Sequence, residues 1–430
     1  MKRMVIIDGV RTPFCRMGSD LARLNADELG RIAVQALLAR TGLDPGRVDE
    51  VIFGCVGQPA EAANVARIIA LRAGIPESVP AVTVHRNCAS GCESLTHAYE
   101  KMAAGQGEVF VVGGTENMSL APLLFKHGTA AKFARLAKAK TVGRKLQAML
   151  SFRPSDFQPR VGLKLGLTDP YCGLNMGDTA ELLAREFDIS REKQDAFAIE
   201  SHRRALDARD RLAEEICPVY LGGTTARGAQ RVVEQDNGPR ADQTPEVLAT
   251  LRPVFDRKHG TVTAANASQI TDGAVALLVM SEDKAGALGL EPMGALAGYA
   301  YAGCDPKRMG LGPVFAMDRA EKRYGLSPEQ ADLVEINEAF AAQVLAVLSA
   351  LRSDAFAKQH LGREHYLAKI SKERLNVNGG SIALGHPVGA SGARLILTSL
   401  KELARRKAKR ALVTLCVGGG QGSAVWLERM

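Results

Sequence analysis

The sequence predicts a layered α/β fold made of two similar βαβ-rich halves, with a long segment inserted between them. Short apolar strands alternate with helical segments, the order expected when helices cover the faces of a sheet. The same order of elements then occurs a second time along the 430 residues. A chain of this length has enough apolar residues for more than one core, so we expect at least two domains.

The elements of the first half are predicted from the spacing of apolar residues and from the glycine and proline residues that end helices and strands. Residues 1–9 have an apolar core far too short for a signal peptide or a membrane span, so we expect the first strand of a cytoplasmic protein. Helical spacing and strand alternation then predict the following elements. They are a helix at Ala26–Arg40 closed by Gly42, a strand at 48–56, a helix at Asn64–Ala73, a strand at Ala81–Val84, a helix to about Ala104 and a strand at 108–114.

Three features of the first half occur again, in the same order, in the second half. The motif Leu43-Asp44-Pro45 is similar to Leu326-Ser327-Pro328, and Ala89-Ser90-Gly91 is repeated as Ala390-Ser391-Gly392. Each half also closes with a strand after a glycine, at 273–280 and at 422–427. We therefore expect Cys88 and His386 at equivalent helix starts that face one another. The predicted domains are residues 1–116 with 251–283, an inserted loop domain at 117–250, and residues 284–430.

The insertion has its own composition. No acidic residue occurs from 117 to 155, whereas eight Lys and Arg residues lie beside large apolar ones, so 126–153 reads as a basic amphipathic stretch. One interpretation is a helical face packed on its own domain. The alternatives are a docking face for a partner, a funnel for CoA phosphates and a membrane-surface patch. Further on, Asp178 or Thr179 is predicted to cap a helix, and an amphipathic helix is expected at Ser190–Ala208.

Charge and cysteine content narrow the function class only partly. The net charge of +8 and the isoelectric point of about 9.1 suit nucleic acid, an anionic membrane or a phosphate-rich small molecule. Eight cysteines scattered over this length do not form a disulfide framework, and no paired C-x-x-C spacing indicates zinc. We expect a reducing compartment and no metal site.

Cys88 is placed like a nucleophile, because it follows an apolar run and precedes a helix. Unpaired N–H groups at a helix N-terminus favour the thiolate. The alternative is a small buried apolar residue, the commoner situation for a free cysteine. The far end of the chain favours the catalytic interpretation, since Gly385-His386-Pro387 and Cys416 to Gly422 supply an imidazole, a second thiol and a turn without side chains.

These groups match the needs of carbon–carbon acyl transfer. Cys416, on a strand end beside glycines, can exchange a proton with the α-carbon of acetyl-CoA. Gly418 to Gly420 can bring backbone N–H groups to an acyl oxygen, together with the N–H of Cys88. His386 can activate Cys88, or donate a hydrogen bond to the oxygen that becomes an enolate.

Asn337 follows a strand of the second half, where it can position a water in the enolate site. Glu338 is expected to tie the backbone, and His85 and His97 to be structural. A protease or hydrolase triad fits less well, because Cys88 has neither a papain-like context nor a nucleophile elbow. The glycine-rich stretches match no P-loop or dinucleotide fingerprint.

Six motifs in order resemble the thiolase family and cover nearly the whole chain. They are Arg11-Thr12-Pro13-Phe14, Asn87-Cys88-Ala89-Ser90-Gly91, residues 260–268, Asn337-Glu338-Ala339-Phe340, Gly385-His386-Pro387 and Cys416-Val417-Gly418-Gly419-Gly420. The resemblance implies five-layered αβαβα subunits that form a homodimer or tetramer, with a loop domain over the CoA. CoA and acyl-CoA are then substrates, no cofactor is tightly bound, and no nucleic acid is expected as a partner.

The resemblance also implies roles for individual residues. Cys88 carries the acyl group, His386 and Cys416 act as bases, and Asn337 holds the water. Ser268, Met176 and Asn175 are assigned to the CoA-binding channel, although Asn175 stands where acetoacetyl-CoA thiolases have a histidine before Met-Gly.

Within the family, the pattern is similar to the thiolase subunit of fatty-acid oxidation (trifunctional) complexes. The basic insertion, the stretch from Gly173 and the insertion at 353–363 carry this likeness, and Asn337 departs from it, since that branch commonly has histidine there. A hydratase/dehydrogenase subunit or a membrane surface is the implied partner of the stretch 126–153. Two alternatives stay open: a decarboxylative ketoacyl synthase, which would lack a second catalytic thiol, and a thiolase-fold protein that only binds acyl-CoA.

Overall fold

A computed structural model describes residues 2–222 and 231–430 of the chain. Its strands are β1 (Met4–Arg11), β2 (Cys15–Arg16), β3 (Glu50–Gly54), β4 (Ala81–Val84), β5 (Val109–Glu116), β6 (Leu123–Leu124), β7 (Arg160–Val161), β8 (Val219–Leu221), β9 (Arg231–Val233), β10 (Thr271–Ser281), β11 (Gly294–Gly303), β12 (Leu333–Ile336), β13 (Arg410–Val417) and β14 (Gln421–Arg429).

The helices follow the strands in alternation through each half. They are α1 (Ala26–Thr41), α2 (Val65–Arg72), α3 (Ser90–Ala103), α4 (His127–Lys138), α5 (Val142–Leu150), α6 (Gly162–Gly166), α7 (Met176–Glu186), α8 (Arg191–Asp207), α9 (Arg209–Ala213), α10 (Pro245–Ala249), α11 (Glu282–Leu288), α12 (Gly312–Tyr324), α13 (Ala341–Leu351), α14 (Asp354–Phe356), α15 (Ser381–Leu384) and α16 (Val388–Arg406). Among the described helices, none is both long and apolar enough to cross a bilayer.

The strands of the two halves repeat one topology. The first half has the order β1-β10-β5-β3-β4, and the second half has β11-β14-β13-β12. The third and fourth strands of each order pair in parallel, β5 with β3 and β13 with β12, and the first half adds β4 at its edge. The two halves meet where β1 pairs with β11 at Val5↔Ala295 and Ile6↔Gly294. The predicted internal repeat is therefore confirmed by the pairing of the strands.

Alternating side chains on the strands build three successive cores. On β5, Val109 and Val111 face a core shared with α1 and α2, whereas Phe110 and Val112 face the core that contains α3 and α16. On β14, Val425 faces that same central core, and Trp426 faces a third core with α12 and α13. The layers therefore run α, β, α, β, α, with α3 and α16 in the middle.

Glycines let the two central helices approach each other at their N-terminal turns. A β-carbon at Gly91 would lie 2.5 Å from the backbone nitrogen of Ala393, and one at Gly392 would lie 2.6 Å from that of Cys92. Cys88 stands two residues before α3, and His386 stands two residues before α16. The close crossing therefore brings the two equivalent helix starts together, as the repeat predicts.

The inserted segment differs from two sequence-based expectations. The helix after Gly173 begins earlier than predicted, because Asn175 rather than Asp178 or Thr179 is its N-cap. Asp178 instead accepts a hydrogen bond from the Asn175 N–H at 2.9 Å, completing a capping box. The second difference concerns one of the four interpretations of the basic stretch, a face packed on its own domain: the apolar side of α5 is exposed, with Val142 83% and Leu150 77% exposed.

Candidate active site

A tight turn between β4 and α3 presents Cys88. Asn87 adopts a left-handed backbone conformation with φ of 43°. The Ser90 hydroxyl accepts a hydrogen bond from the Arg86 N–H at 2.9 Å and donates one to the Asn87 carbonyl at 2.7 Å. These bonds hold the turn so that Cys88 lies just outside the first turn of α3.

The Cys88 sulfur is not a ready-made thiolate. Burial raises the pKa of the Cys88 thiol, and the hydrogen bond from the Gly418 N–H opposes that effect only in part. The backbone N–H groups do favour the thiolate, as expected, but desolvation outweighs them, so the net effect is a raised pKa. The thiol consequently needs a base to take its proton.

The turn between β13 and β14 lies against the turn that presents Cys88. The Asn87 side-chain amide donates to the Gly418 carbonyl at 2.8 Å. Beside it stands the first residue of α7, because a β-carbon at Gly418 would lie 3.4 Å from the Met176 sulfur. The structure thus places Cys88, Gly418 and Met176 together, although they are far apart in the chain.

Cys416 lies next to the end of β13 and is fully buried. Its surroundings are apolar and include Met309, Phe340 and the partly buried Met176. Burial raises the pKa of Cys416 well above its ordinary value, and a charge on Cys88 raises it further. The charge of Cys88 acts on Cys416, so the two thiols lie close enough to interact.

His386 and Asn337 form a buried pair next to the start of α16. The His386 Nε2 and Asn337 Nδ2 atoms are 3.4 Å apart. The His386 N–H donates to the Gln269 carbonyl at 2.9 Å, and the Asn337 N–H donates to the Thr414 carbonyl at 2.9 Å, which attaches both residues to strands or strand ends. Burial, with the nearby Arg394 charge, lowers the pKa of His386 to about 4, so the imidazole is neutral at pH 7.

The remaining predicted residues surround this group. Glu338 ties the backbone as expected, accepting from the Ile382 N–H at 3.2 Å, and it also accepts from the Ser201 hydroxyl at 2.6 Å. The half-buried Ser268 donates its N–H to the Ala339 carbonyl at 2.9 Å. The Asn175 side chain is committed to its helix cap, since its oxygen accepts the Gly177 N–H at 3.1 Å.

Two hydroxyls that contact the site are absent from the sequence-based set. Ser381 donates to the Asn337 side-chain oxygen at 2.6 Å, and Ser391 lies 2.5 Å from His386 Nδ1. The repeat of Ala-Ser-Gly marked Ser391 only as a fold signal. No local pattern could have singled out Ser381, because its partner lies 44 residues away.

The two-half fold, with two thiols, an imidazole and an amide grouped in it, is typical of an acyltransferase. Comparison with known families gives the same class more narrowly. The family described as "Thiolase, N-terminal domain" matches residues 4–283, and "Thiolase, C-terminal domain" matches residues 290–429. The chain belongs to the thiolase family, whose members use CoA as a substrate.

Relatives and solved structures agree over the full length. The chain is 43% identical over 431 residues to the acetyl-CoA acetyltransferase of Pseudomonas aeruginosa, with all of both chains covered. It is 40% identical over 429 residues to the 3-ketoacyl-CoA thiolase of Pectobacterium atrosepticum, covering 99% of this chain and 96% of that protein. The structure of human mitochondrial 3-ketoacyl-CoA thiolase in complex with CoA superposes with a TM-score of 0.84 at 35% identity, covering 100% and 98% of the two chains.

Proposed function

We propose that this protein cleaves 3-ketoacyl-CoA with CoA to give acyl-CoA and acetyl-CoA, or runs the reverse condensation, in two half-reactions through an acyl group on Cys88. The observation that carries the proposal is the proximity of two thiols: the sulfur of the partly exposed Cys88 accepts the Gly418 N–H, and its charge acts on the buried Cys416. Membership of the thiolase family supports the same reaction.

In the first half-reaction, His386 takes the proton of Cys88. The sulfur then attacks the 3-keto carbon, and the bond between that carbon and the α-carbon breaks. Its electron pair moves to the acetyl-CoA fragment as an enolate, and Cys416 delivers a proton to the α-carbon. In the second half-reaction the thiol of CoA displaces the acyl group from Cys88, and its proton returns to the site.

Two sets of donors fit the two oxygens that become negative. The N–H groups of Cys88 and Gly418 serve the acyl oxygen, because the Gly418 N–H already points to the sulfur that would hold the acyl group. Asn337 and His386 serve the thioester oxygen of the enolate, with Asn337 holding a water. The neutral His386 becomes a cation when it accepts the Cys88 proton, which strengthens its hydrogen bond to the enolate.

For substrate binding we propose that Ser268 and Met176 line the pantetheine channel. Met176 is supported by its contact distance to Gly418 and by its position as the first residue of α7. Asn175 contributes indirectly, because its side chain caps α7 and so fixes the position of Met176.

A panel of 3-ketoacyl-CoA substrates of increasing chain length tests the reaction. We expect CoA-dependent cleavage of at least one of them, with an acyl-enzyme as intermediate. A decarboxylative ketoacyl synthase would instead release CO₂ from a malonyl thioester and would not need Cys416. A protein that only binds acyl-CoA would show saturable binding without turnover.

We propose the division into 1–116 with 251–283, 117–250, and 284–430, supported by the return of the chain to the first-half strands at β10. We further propose a homodimer, or a tetramer built from dimers, that pairs through β4. This strand ends the order of the sheet in the described part of the chain, and Val82 and Val84 on it are only half buried. The compartment is proposed to be the cytoplasm, since all eight cysteines are free.

We propose that α5 and the segment before it bind an anionic membrane. Val142, Leu146, Met149 and Leu150 are exposed and lie on one face of α5, at the spacing of an amphipathic helix. Lys138, Lys140, Arg144 and Lys145 are exposed around that face, and none of the four makes an ion pair within the part of the chain that the structure describes. An exposed helix with apolar side chains and unpaired cations fits a lipid surface.

The test measures binding to vesicles of phosphatidylglycerol and phosphatidylcholine, and to vesicles of phosphatidylcholine alone. Each cation near an anionic surface contributes about 1 kcal/mol, so changing the four to glutamine should weaken binding by several hundredfold or more. The matched control changes four other exposed cations to glutamine: Arg47, Arg352, Lys358 and Lys372. It lowers the net charge equally and should bind like the parent protein.

Three outcomes would contradict the membrane proposal. Equal binding by the fourfold variant and its control would refute it directly. Loss of association with a hydratase/dehydrogenase subunit, without any vesicle binding by the parent, would identify this protein as the thiolase subunit of a fatty-acid oxidation complex. A large fall in turnover on short substrates would indicate that the cations guide CoA.

A further inference from the structure

A chain of hydrogen bonds runs from Arg394 through Ser381 to the side chain of Asn337. Because Arg394 can only donate, it fixes which group donates and which accepts at each step. Arg394 is 1% exposed, and its Nη2 lies 3.5 Å from the Ser381 hydroxyl oxygen. A guanidinium has no acceptor, so Ser381 receives that hydrogen bond and has its own proton free for another partner. That partner is the Asn337 side-chain oxygen, at 2.6 Å. The amide of Asn337 is thereby oriented with its NH₂ group toward His386.

The same order of donors and acceptors extends to the imidazole of His386 and fixes which ring nitrogen carries the hydrogen. Asn337 Nδ2 is a donor, and it faces His386 Nε2 at 3.4 Å. A hydrogen on Nε2 would place two donors against each other in a buried site, so Nε2 holds the lone pair and the hydrogen is on Nδ1. Nδ1 then donates to the Ser391 hydroxyl at 2.5 Å. Ser391 in turn donates to the Pro387 carbonyl at 3.0 Å, which can only accept.

We propose that Ser381 and Ser391 are positioning residues, which fix the amide orientation of Asn337 and the Nδ1–H tautomer of His386. The Arg394 guanidinium, which only donates, and the Pro387 carbonyl, which only accepts, stand at opposite ends of this chain of hydrogen bonds. Each of them separately requires the Nδ1–H tautomer. With Nε2 unprotonated, His386 is prepared to accept the Cys88 proton, and Ser391 keeps accepting from Nδ1 after that transfer. This step rests on the proposed role of His386 as the base for Cys88.

The first experiment observes the tautomer without using activity. Nitrogen chemical shifts of the ¹⁵N-histidine-labelled enzyme at pH 7, with the His386 signals assigned by their loss in His386→Asn, distinguish protonated from unprotonated ring nitrogens. We expect the Nδ1–H form in the parent and in Ser391→Thr, and a shift toward the Nε2–H form in Ser391→Ala. An Nε2–H tautomer in the parent enzyme would overturn the inference and leave the proposed function untouched.

The second experiment separates the half-reactions. Ser391→Ala should slow acylation of Cys88 by acyl-CoA, by roughly 10- to 100-fold if it matches other residues that orient a functional histidine. Ser381→Ala should leave that acylation unchanged but slow exchange of the α-hydrogens of acetyl-CoA, because Asn337 is then free to turn its amide. Ser381→Thr, which retains the hydroxyl, should restore the exchange.

A buried serine on the same helix supplies the matched control. Ser399 is 1% exposed on α16, and its hydroxyl has no hydrogen-bond partner among the described residues. Ser399→Ala should therefore leave the His386 tautomer and both half-reactions unchanged. Equal losses in Ser399→Ala and Ser391→Ala would show a packing effect and overturn the inference. Absence of acylation in the parent enzyme would instead contradict the proposed function.

Discussion

Replacing Cys416 by serine should separate the two thiols by role. Serine preserves the size of the side chain at this buried position but is far less acidic, so it delivers or removes the α-proton poorly. General acid/base groups typically contribute about 10²- to 10⁴-fold, which corresponds to roughly 3–5 kcal/mol of the activation barrier. We expect a loss of this size in overall thiolysis, because Cys416 lies in apolar surroundings that supply no titratable side chain in its place.

Two assays and a second variant resolve the prediction into steps. Mass spectrometry of the protein after incubation with acyl-CoA reports acylation of Cys88, which creates no carbanion and should survive in Cys416→Ser. Exchange of the α-hydrogens of acetyl-CoA with D₂O reports enolate formation, and should be lost. Cys88→Ser should lose acylation and all turnover, since a serine hydroxyl is far less acidic and a far weaker nucleophile than a thiol, even beside His386.

The third thiol near the site is the control. Cys304 is half buried, and its charge contributes to the raised pKa of Cys416, yet it is not assigned to the chemistry. Cys304→Ser should retain both exchange and thiolysis. Near-normal thiolysis and exchange in Cys416→Ser would refute the reasoning, and would move the proton transfer to His386. Thermal melting of each variant shows whether a loss comes from unfolding instead.

The remaining predictions concern acylation, packing and pH. Incubation with 3-ketoacyl-CoA should add an acyl mass to the peptide that contains Cys88, and modification confined to another cysteine would contradict the assignment. Gly91→Ala should lower the melting temperature, because its β-carbon would lie 2.5 Å from a backbone nitrogen of α16; overpacking typically costs about 1–3 kcal/mol. Gly128→Ala, which meets open space on α4, should be neutral or stabilising. Burial lowers the pKa of His202 and His386 to about 4, so the unfolded chain binds protons at a higher pH than the folded one. The free energy of unfolding should therefore fall as the pH drops from 6.5 toward 4, by roughly 3 kcal/mol per histidine. A melting temperature that is constant over this range would contradict the prediction.

Local patterns explain why most of the fold could be predicted. The buried apolar run at 108–114 and the helical spacing at Ala26–Arg40 reflect which faces must be buried, and the structure places β5 and α1 there within two residues. The repeat of Ala-Ser-Gly predicted that Cys88 and His386 would stand at equivalent helix starts. The N-cap residue of α7 was harder to predict from the sequence. Asn175 and Asp178 each accept a hydrogen bond from the backbone near the other, so both residue types fit the start of a helix.

The sequence by itself determined the layered two-half architecture and the residue types available for chemistry, since periodicity, glycines and motif order are properties of neighbouring residues. Only the tertiary structure decided what depends on long-range packing. It decided that burial outweighs the helix terminus at Cys88, that the apolar face of α5 remains exposed, and that Ser381 reaches Asn337 across 44 residues of chain. Desolvation and hydrogen-bond direction depend on every group around an atom, and those groups come together only when the chain is folded.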